Sequence, residues 1–271
     1  MAGSSRRDGE GKVSDSPLDA FRLDGDCAVV TGAGRGIGRA IALALAEAGA
    51  RVAVADLDLA AARGTADAIR AAGGQAEAFA TDVGDESSVD ALFQAVAARF
   101  GGPQILVNNA GASIRAPSVE LPLADWDKVV RVNMTGAFLC ARAAARRMIA
   151  QGGGRIVNMA SIMGFSGGGL YPNISYQASK GAVVNMTRAL ALEWAAAGIR
   201  VNAVAPTWVR TDFIKGILER PELVARIEAM TPLRRLAEPG DIVGAVLFLA
   251  SRASGMVTGH TLPVDGGFLA Q

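Results

Sequence analysis

Short apolar runs alternate with longer alanine-rich segments along this chain from about residue 26 onward. The short runs have the length and continuous hydrophobicity of buried strands, and seven are predicted, at Cys27-Val30, Arg51-Ala55, Ala76-Ala80, Gln104-Val107, Arg155-Met159, Ile199-Ala205 and Thr261-Val264. Between them, helical spacing predicts helices at about Gly36-Ala48, Leu59-Ala71, Glu86-Arg99, Ala124-Ala150, Ser175-Ala197 and Pro239-Ala250. This alternation predicts an α/β fold, a doubly wound parallel sheet of seven strands with helices on both faces.

The first segment of the chain has a different composition from the rest. Residues 1–18 are rich in glycine, serine and charge and contain almost no apolar side chains. Such a segment buries too little surface to offset the entropy of ordering, which predicts a disordered tail. Residues 19–271 carry the alternating pattern without an evident linker, so a single domain is predicted there.

Overall composition gives no sign of a nucleic-acid or membrane partner. The net charge is +1, hydrophobic residues make up 51% of the chain, and no apolar run approaches the roughly eighteen residues that span a bilayer. Arg6-Arg7 are followed by polar residues, where an export signal needs an apolar core. The two cysteines, Cys27 and Cys140, show no metal-ligand spacing and suit a reducing compartment. We therefore expect a cytoplasmic protein.

The clearest candidate chemistry lies at Tyr176 and Lys180, shortly after Ser161. Residues four apart share one face of a helix, so a cation would stand beside a phenol. A neighbouring positive charge favours the ionised phenol, and Tyr176 is therefore predicted to act as a proton donor and acceptor near neutral pH. The alternative is two polar residues on an exposed helix face, because this spacing alone is a weak motif.

A glycine-rich turn follows the first predicted strand. The segment TGAGRGIG at residues 31–38 leads directly into a helix, and Gly32, Gly36 and Gly38 would let the backbone approach a pyrophosphate at the helix N-terminus. Asp56 ends the second strand, where a carboxylate binds an adenosine ribose and repels a 2′-phosphate. This favours NAD, whereas Arg35 could pair with the phosphate of NADP.

Further polar residues follow the later strands. Asp82-Val83 come after the third strand and the segment NNAG, residues 108–111, after the fourth. They could hold a cofactor or serve only as turn residues. Asn133 is a poor helix former in an apolar stretch of a predicted helix, and a buried amide there needs partners.

Taken together, these motifs resemble those of the short-chain dehydrogenase/reductase family. The resemblance covers nearly all of the chain from about residue 20 and includes TGAGRGIG, Asp56, Asp82-Val83, NNAG, Asn133, Ser161, the Tyr176 and Lys180 pair, Asn202 with Pro206, and VDGG at residues 264–267. It implies a Rossmann fold and hydride transfer between a secondary alcohol and a nicotinamide cofactor without a metal. It also implies a homotetramer.

The resemblance assigns a role to each matching residue. Tyr176 would be the catalytic acid/base, Lys180 would lower its pKa and hold the nicotinamide ribose, Ser161 would bind the substrate oxygen, and Asn133 would keep a water in a proton relay. Substrate-binding positions would be Ser161, Asn173, Tyr176 and Trp208. Cofactor-binding positions would be Gly32, Arg35, Gly36, Ile37, Gly38, Asp56, Asp82, Val83, Asn109, Ala110, Gly111, Tyr176, Lys180, Pro206, Thr207, Val209 and Thr211.

The sequence departs from the family near the expected substrate pocket. Thr207 follows Pro206 where the family usually has glycine, which puts the backbone course there in doubt. The segment between Ser161 and Tyr176 is the second departure, because its fourteen residues make a long loop. A substrate lid is predicted at about 207–232, with Phe213 and Ile214 as candidate walls, and Tyr171 is discounted because no lysine follows it at the same spacing.

The substrate is inferred from resemblance to family members that oxidise sugar alcohols. Ser161, Asn173, Gln177 and Thr207 could supply the polar contacts that a hydroxyl-rich molecule needs. An NAD-dependent polyol or secondary-alcohol dehydrogenase is therefore predicted. The alternatives are an NADPH-dependent 3-oxoacyl or other carbonyl reductase and a non-catalytic dinucleotide-binding regulator.

Overall fold

A computed structural model describes residues 16–271 and contains one seven-stranded sheet in this range. Most of the predicted tail, residues 1–15, lies outside the described part, and Pro17 and Leu18 belong to a short 3₁₀ helix, Pro17–Phe21. The strands, numbered β1 to β7, are Cys27–Thr31, Arg51–Asp56, Gln75–Ala80, Ile105–Asn108, Gly154–Met159, Ile199–Pro206 and Thr261–Val264. Each lies within two residues of its prediction.

All strand pairs are parallel, and the order across the sheet is β3-β2-β1-β4-β5-β6-β7. The order reverses between β1 and β4, which is where doubly wound sheets bind ligands. The helices, numbered α1 to α9, are Gly36–Glu47, Leu59–Ala71, Glu86–Phe100, Leu123–Val130, Gly136–Ala150, Ile174–Trp194, Lys215–Leu218, Pro221–Met230 and Pro239–Ala250. The predicted single-sheet Rossmann architecture is confirmed.

The core is divided into two layers by the sheet. On one face, buried residues of α1, α2 and α9 pack against the strands, among them Ile41, Ile69 and Val246. On the other face, α3, α5 and α6 contribute residues such as Phe93 and Met148. Because helices cover both faces, the central strands β1 and β4 are buried along their whole length. Among the described residues, no helix is both long and apolar enough to cross a membrane.

The predicted long helix Ala124-Ala150 is wrong in one respect. It is interrupted by a π-helical turn, Arg131–Thr135, between α4 and α5. The wider turn is centred on Asn133, whose side chain is fully engaged with neighbouring segments, as described below. π turns inside α-helices occur frequently at functional sites because they aim a side chain that a regular helix would place elsewhere.

The segment predicted as a lid lies between β6 and α9. It contains a 3₁₀ turn, Asp212–Ile214, followed by α7 and α8, and Pro221 separates the two helices as the sequence indicates. A small apolar cluster that includes Trp208, Ile217 and Ile227 holds it against the body of the protein.

Candidate active site

A cavity of about 580 Å³ lies at the carboxyl ends of the strands. Every predicted cofactor-binding and substrate-binding residue lines it, and so do three of the four predicted catalytic residues. Asn133 is the exception, because its side chain lies behind the wall. Residues far apart in the chain therefore converge on one site.

Tyr176 and Lys180 lie one turn apart on α6, with the Lys180 Nζ 5.5 Å from the centre of the Tyr176 ring. The Lys180 ammonium donates a hydrogen bond to the Met159 carbonyl oxygen at 2.6 Å and has 5% of its surface exposed. Burial lowers the pKa of Lys180 to about 8 because the charged form is poorly solvated.

The expected lowering of the Tyr176 pKa does not appear in this structure. Burial raises the pKa of Tyr176 to about 12, while a hydrogen bond with Ser161 and the charge of Arg115 act in the opposite direction. Desolvation outweighs these two effects, and burial also disfavours the charged form of Lys180 itself. The neutral phenol is thus the stable form near neutral pH.

Asn133 fixes the wall behind the catalytic residues. Its Oδ1 accepts a hydrogen bond from the Ala112 amide at 2.7 Å, and its Nδ2 donates to the Ala112 carbonyl at 2.9 Å and to the Ser179 hydroxyl at 3.0 Å. The buried amide therefore joins the loop after β4 to α6 one residue from Lys180. In this structure Asn133 positions these two segments.

The glycine turn leaves no room for side chains where the backbone passes closely. A Cβ on Gly32 would lie 2.9 Å from the Ala110 Cα, and one on Gly38 would overlap the Gly32 carbonyl oxygen. Gly36 has φ +54°, a conformation that favours glycine. The Asn109 amide donates to the Thr31 and Gly32 carbonyls, each at 3.0 Å, so it holds the turn in place.

Asp56 is held firmly at the adenosine side of the cavity. Its carboxylate accepts hydrogen bonds from the backbone amides of Gly34, at 2.8 Å, and Asp58, at 3.0 Å. Arg35 is mostly exposed, and its guanidinium lies 3.7 Å from the Asp58 carboxylate. The Asp56 carboxylate is therefore held in place by backbone amides, while Arg35 is only loosely paired.

The other cofactor candidates form the rim of the same region. The Asp82 carboxylate accepts from the Gly84 amide at 2.8 Å and pairs with Arg131 at 3.0 Å. Thr207 continues the extended course of β6, since its amide donates to the Val264 carbonyl at 3.2 Å. This answers the doubt raised by the missing glycine, because the backbone remains extended past Pro206. The remaining predicted cofactor-binding residues on the cavity wall are Ile37, Val83, Ala110, Gly111, Val209 and Thr211.

The part of the cavity lined by Asn173 and Trp208, called the substrate end, also contains residues to which the sequence analysis assigned no binding role. The Trp208 Nε1 donates to the Tyr171 hydroxyl at 2.9 Å, and Tyr171 and Arg115 both line the cavity, so Tyr171, which was discounted only as a catalytic group, contributes to the wall. Asn173 lines it too and is hydrogen-bonded to Ser113. Gln177 lies outside the lining and donates to the Gly167 carbonyl at 2.7 Å. The signal missed was a tyrosine in a long loop before the catalytic helix.

The expected lid walls are present. Phe213 and Ile214 line the cavity, and the Phe213 ring centre lies 6.0 Å from that of Tyr176. Residues of the first part of the predicted lid, from Thr207 to Ile214, therefore line the same cavity as Tyr176.

Comparisons with known proteins place this arrangement in context. Residues 32–269 match the family model described as enoyl-(acyl carrier protein) reductase. The chain is 46% identical over 206 residues to the cis-4-hydroxycyclohexanecarboxylate dehydrogenase of Sinomonas cyclohexanicum, covering 76% of this chain and 81% of the relative. It is 44% identical over 248 residues to the D-threitol dehydrogenase of Mycolicibacterium smegmatis, covering 92% and 94%.

A solved structure agrees in fold over nearly the whole length. A gluconate 5-dehydrogenase from Burkholderia cenocepacia, in complex with NADP and tartrate, has a TM-score of 0.91 and 38% identity, covering 94% of this chain and all of the other. Fold, motif order and relatives agree, and the enzymes among them act on CH–OH groups. The chain belongs to the short-chain dehydrogenase/reductase family and is an oxidoreductase of that family.

Proposed function

We propose that this enzyme interconverts a secondary alcohol and its ketone on a small polyhydroxylated molecule, with NAD as the preferred cofactor. The observation that carries the proposal is the convergence of Tyr176, Ser161 and Lys180 on one cavity with the glycine turn and Asp56. A proton-transfer site and a dinucleotide site are thus continuous with each other.

The described residues fit a dinucleotide. The backbone at Gly32 and Gly38 packs too closely against neighbouring backbone for a Cβ, and this tight turn leads into the N-terminus of α1, where backbone amides can bind a phosphate. Two buried hydroxyls in the cavity wall, on Thr81 and Thr207, have no hydrogen-bond partner within residues 16–271, as expected of groups that contact a ligand. A nicotinamide cofactor held by these residues would supply hydride transfer to or from the carbinol carbon.

The chain's own residues would handle the proton and the substrate oxygen. In oxidation the Tyr176 phenolate accepts the hydroxyl proton, and in reduction the neutral phenol returns it. Ser161 contacts the same hydroxyl group and would orient the substrate oxygen. Lys180 supplies a cation one helical turn away, and Asn133 holds the loop and helix that position it.

The preference for NAD rests on Asp56. Its carboxylate is fixed by two backbone amides, so a 2′-phosphate could not approach without strong repulsion. Arg35 supports the second candidate, an NADPH-dependent 3-oxoacyl or other carbonyl reductase, because it lines the cavity and could leave its weak pairing with Asp58. The relative solved with NADP keeps this candidate open.

A polyhydroxylated substrate is supported by the relatives and by the polar lining. The threitol and gluconate dehydrogenases are named for compounds with several hydroxyls. In this chain Ser161 and Asn173 supply polar contacts beside the apolar walls Trp208 and Phe213. Polar groups that converge around one reacting carbon favour substrates with a hydroxyl at each position.

We also propose a homotetramer in the cytoplasm. Exposed apolar side chains lie on the π turn, α5 and α6, including Met134, Phe138, Ile149 and Leu192, and a second copy would cover them. The two cysteines are free and buried, as suits a reducing compartment. Sedimentation at micromolar protein tests the assembly, and a monomeric mass would contradict it.

The proposed function is tested by reduction of NAD and NADP at alkaline pH with polyols, hydroxy acids and simple secondary alcohols. Tyr176→Phe should abolish turnover while NADH binding, measured by fluorescence, is kept. Ser87→Ala is the control, since it removes an exposed hydroxyl of α3 outside the cavity and should leave kcat nearly unchanged. Activity confined to NADPH and 3-oxoacyl substrates would favour the second candidate. NADH binding without turnover of any substrate would indicate a regulator.

A further inference from the structure

An arginine stands at the substrate end of the cavity. Arg115 belongs to the loop between β4 and α4, lines the cavity, and places its guanidinium carbon 4.8 Å from the centre of the Tyr171 ring. A guanidinium stacked on an aromatic face is held in position by cation–π attraction. Its in-plane N–H groups remain available, because stacking uses only the face of the group.

Those N–H groups have no partner in the described chain. Within residues 16–271, Arg115 forms neither a salt bridge nor a side-chain hydrogen bond. Arg131, which also lines the cavity, is by contrast paired with Asp82 at 3.0 Å. The Arg115 side chain is exposed, so water solvates it in the free enzyme. A ligand anion could replace that water without breaking any contact of the protein.

Tyr171 adds a second donor beside the arginine. Its hydroxyl accepts a hydrogen bond from the Trp208 Nε1 at 2.9 Å, which leaves its own proton free to be donated. Trp208 is in turn fixed by an edge-on contact with Phe268, with ring centres 5.4 Å apart. Three loops that follow β4, β5 and β6 thus present a guanidinium and an O–H group to the same space.

Other charges of the cavity do not neutralise this end. Asp56 is bound by backbone amides and Asp82 by Arg131. Both lie in the part of the cavity lined by the glycine turn, called the cofactor end. Asp212, on the lid, is the remaining carboxylate of the lining, and no ion pair joins it to Arg115. Lys180 adds a second cation beside Tyr176. The charge of Arg115 is felt at the reacting group, since it acts to lower the pKa of Tyr176.

We propose that Arg115 and Tyr171 bind the carboxylate of a hydroxy-acid substrate whose carbinol carbon lies at Tyr176. The substrate class is then a polyhydroxylated or cyclic carboxylic acid rather than a neutral polyol. Arg115 is a specificity-determining residue in this arrangement, because a bidentate pair between guanidinium and carboxylate is both strong and directional. The inference rests on the proposed function and narrows its substrate.

Matched acids and alcohols provide the sharpest test. Each aldonic acid, such as threonate or galactonate, is compared with the alditol of the same carbon skeleton, threitol or galactitol, in NAD reduction by the intact enzyme. The acid is expected to have a kcat/KM roughly ten- to a hundredfold higher, mainly through KM, as one charge-assisted pair would give. Its KM should rise with ionic strength, whereas that of the alditol should not.

Three variants assign the effect to Arg115. Arg115→Met should lower kcat/KM for the acid by roughly ten- to a hundredfold and change that for the alditol by less than about threefold. Arg115→Lys should fall between, since an ammonium keeps the charge without the fork. Arg63→Met, at an exposed arginine of α2 outside the cavity, is the matched control and should change neither value.

The outcomes separate this inference from the function on which it rests. If alditols are oxidised as well as their acids, or if Arg115→Met lowers both equally, the carboxylate site is wrong while the dehydrogenase stands. If neither class is oxidised and NADH still binds, the proposed function itself fails. Because Arg115 is exposed, its variants should keep the thermal stability of the intact protein, which is measured alongside.

Discussion

The two ends of the cavity satisfy their polar groups differently. At the cofactor end, Asp56, Asn109 and Asp82 are bound by the protein's own backbone or by Arg131, and the glycine turn tolerates no added Cβ. At the substrate end, Arg115 and the Tyr171 hydroxyl have hydrogen-bond donors without a protein partner in residues 16–271, and Phe213 is 45% exposed. A cofactor common to many enzymes suits a preformed site. A particular substrate is selected by polar groups that form their hydrogen bonds only when it binds.

Tyr176 lies where the two ends meet, and its removal should have the largest effect. Tyr176→Phe is expected to lower kcat by about 10²–10⁴-fold in both directions, because the proposed reaction takes and returns the substrate proton at this phenol. NADH affinity should be nearly unchanged if the cofactor end is independent of the phenol. A comparable loss of NADH binding would break the distinction between the two ends.

The rates of alcohol oxidation and ketone reduction should depend differently on pH, because oxidation needs the Tyr176 phenolate and reduction needs the neutral phenol. Burial raises the pKa of Tyr176 to about 12, so the phenolate needed for oxidation is a minor species at lower pH. Oxidation should therefore accelerate by up to about tenfold per unit between about pH 7 and 10, while reduction, which uses the neutral phenol, should not. Both kcat/KM profiles are measured across this range, and a flat oxidative profile would contradict the assignment.

The rigidity of the cofactor end can be tested at Gly38. Gly38→Ala would place a Cβ against the Gly32 carbonyl and the Asn109 amide, which should lower the free energy of unfolding by about 1–3 kcal/mol and weaken NADH binding strongly. Gly64→Ala in α2 is the matched control, because nothing lies within 4 Å of its added Cβ and helix propensity favours alanine. Equal stability of the two variants would show that the turn can relax.

The preference for NAD over NADP should change more when Asp56 is substituted than when Asp58 is. Asp56→Ala is expected to shift the ratio of kcat/KM for NAD over NADP by about tenfold or more toward NADP, since a fixed negative charge is removed. Asp58→Asn keeps a helix-capping side chain and only frees Arg35, so its shift should be smaller. A larger shift in Asp58→Asn would assign the selectivity to Arg35 instead.

The smallest effect is expected at the lid. Phe213→Ala should raise KM by a few-fold and leave thermal stability nearly unchanged, because the ring is 45% exposed and packs only on one side of Tyr176. Ile217→Ala, 2% exposed in the same segment, should instead cost about 2–5 kcal/mol of unfolding free energy. Similar stability losses in both would mean that Phe213 belongs to the core of the lid.

The glycine turn was predictable from local sequence, whereas the pairing of Arg115 with Tyr171 was not. The predicted strand Cys27-Val30 and helix Gly36-Ala48 differ by one residue at one end from those of the structure, because continuous hydrophobicity and glycines are local signals. Arg115 and Tyr171 lie in loops whose convergence depends on the sheet order. The stacking of the Arg115 guanidinium on the Tyr171 ring cannot be predicted from the sequence of either loop alone.

Two further differences come from tertiary surroundings. The π turn at Arg131–Thr135 accompanies hydrogen bonds from Asn133 to Ala112 and Ser179, which helical periodicity along one segment does not reveal. The pKa of Tyr176 depends on burial, and helix spacing gives only the distance to the nearby lysine. Spacing therefore predicted that a phenol and an ammonium lie side by side, but not their protonation in this structure.

The π turn also limits how this part of the chain can change in length. An α-helix advances about 100° per residue, so one additional residue rotates everything after it by that angle relative to everything before it. In this chain α4 lies on one side of the extra residue and the buried face of α5 on the other. A single deletion at 131–135 would therefore misalign either Asn133 or Met148, so this turn should tolerate substitution far better than loss of one residue.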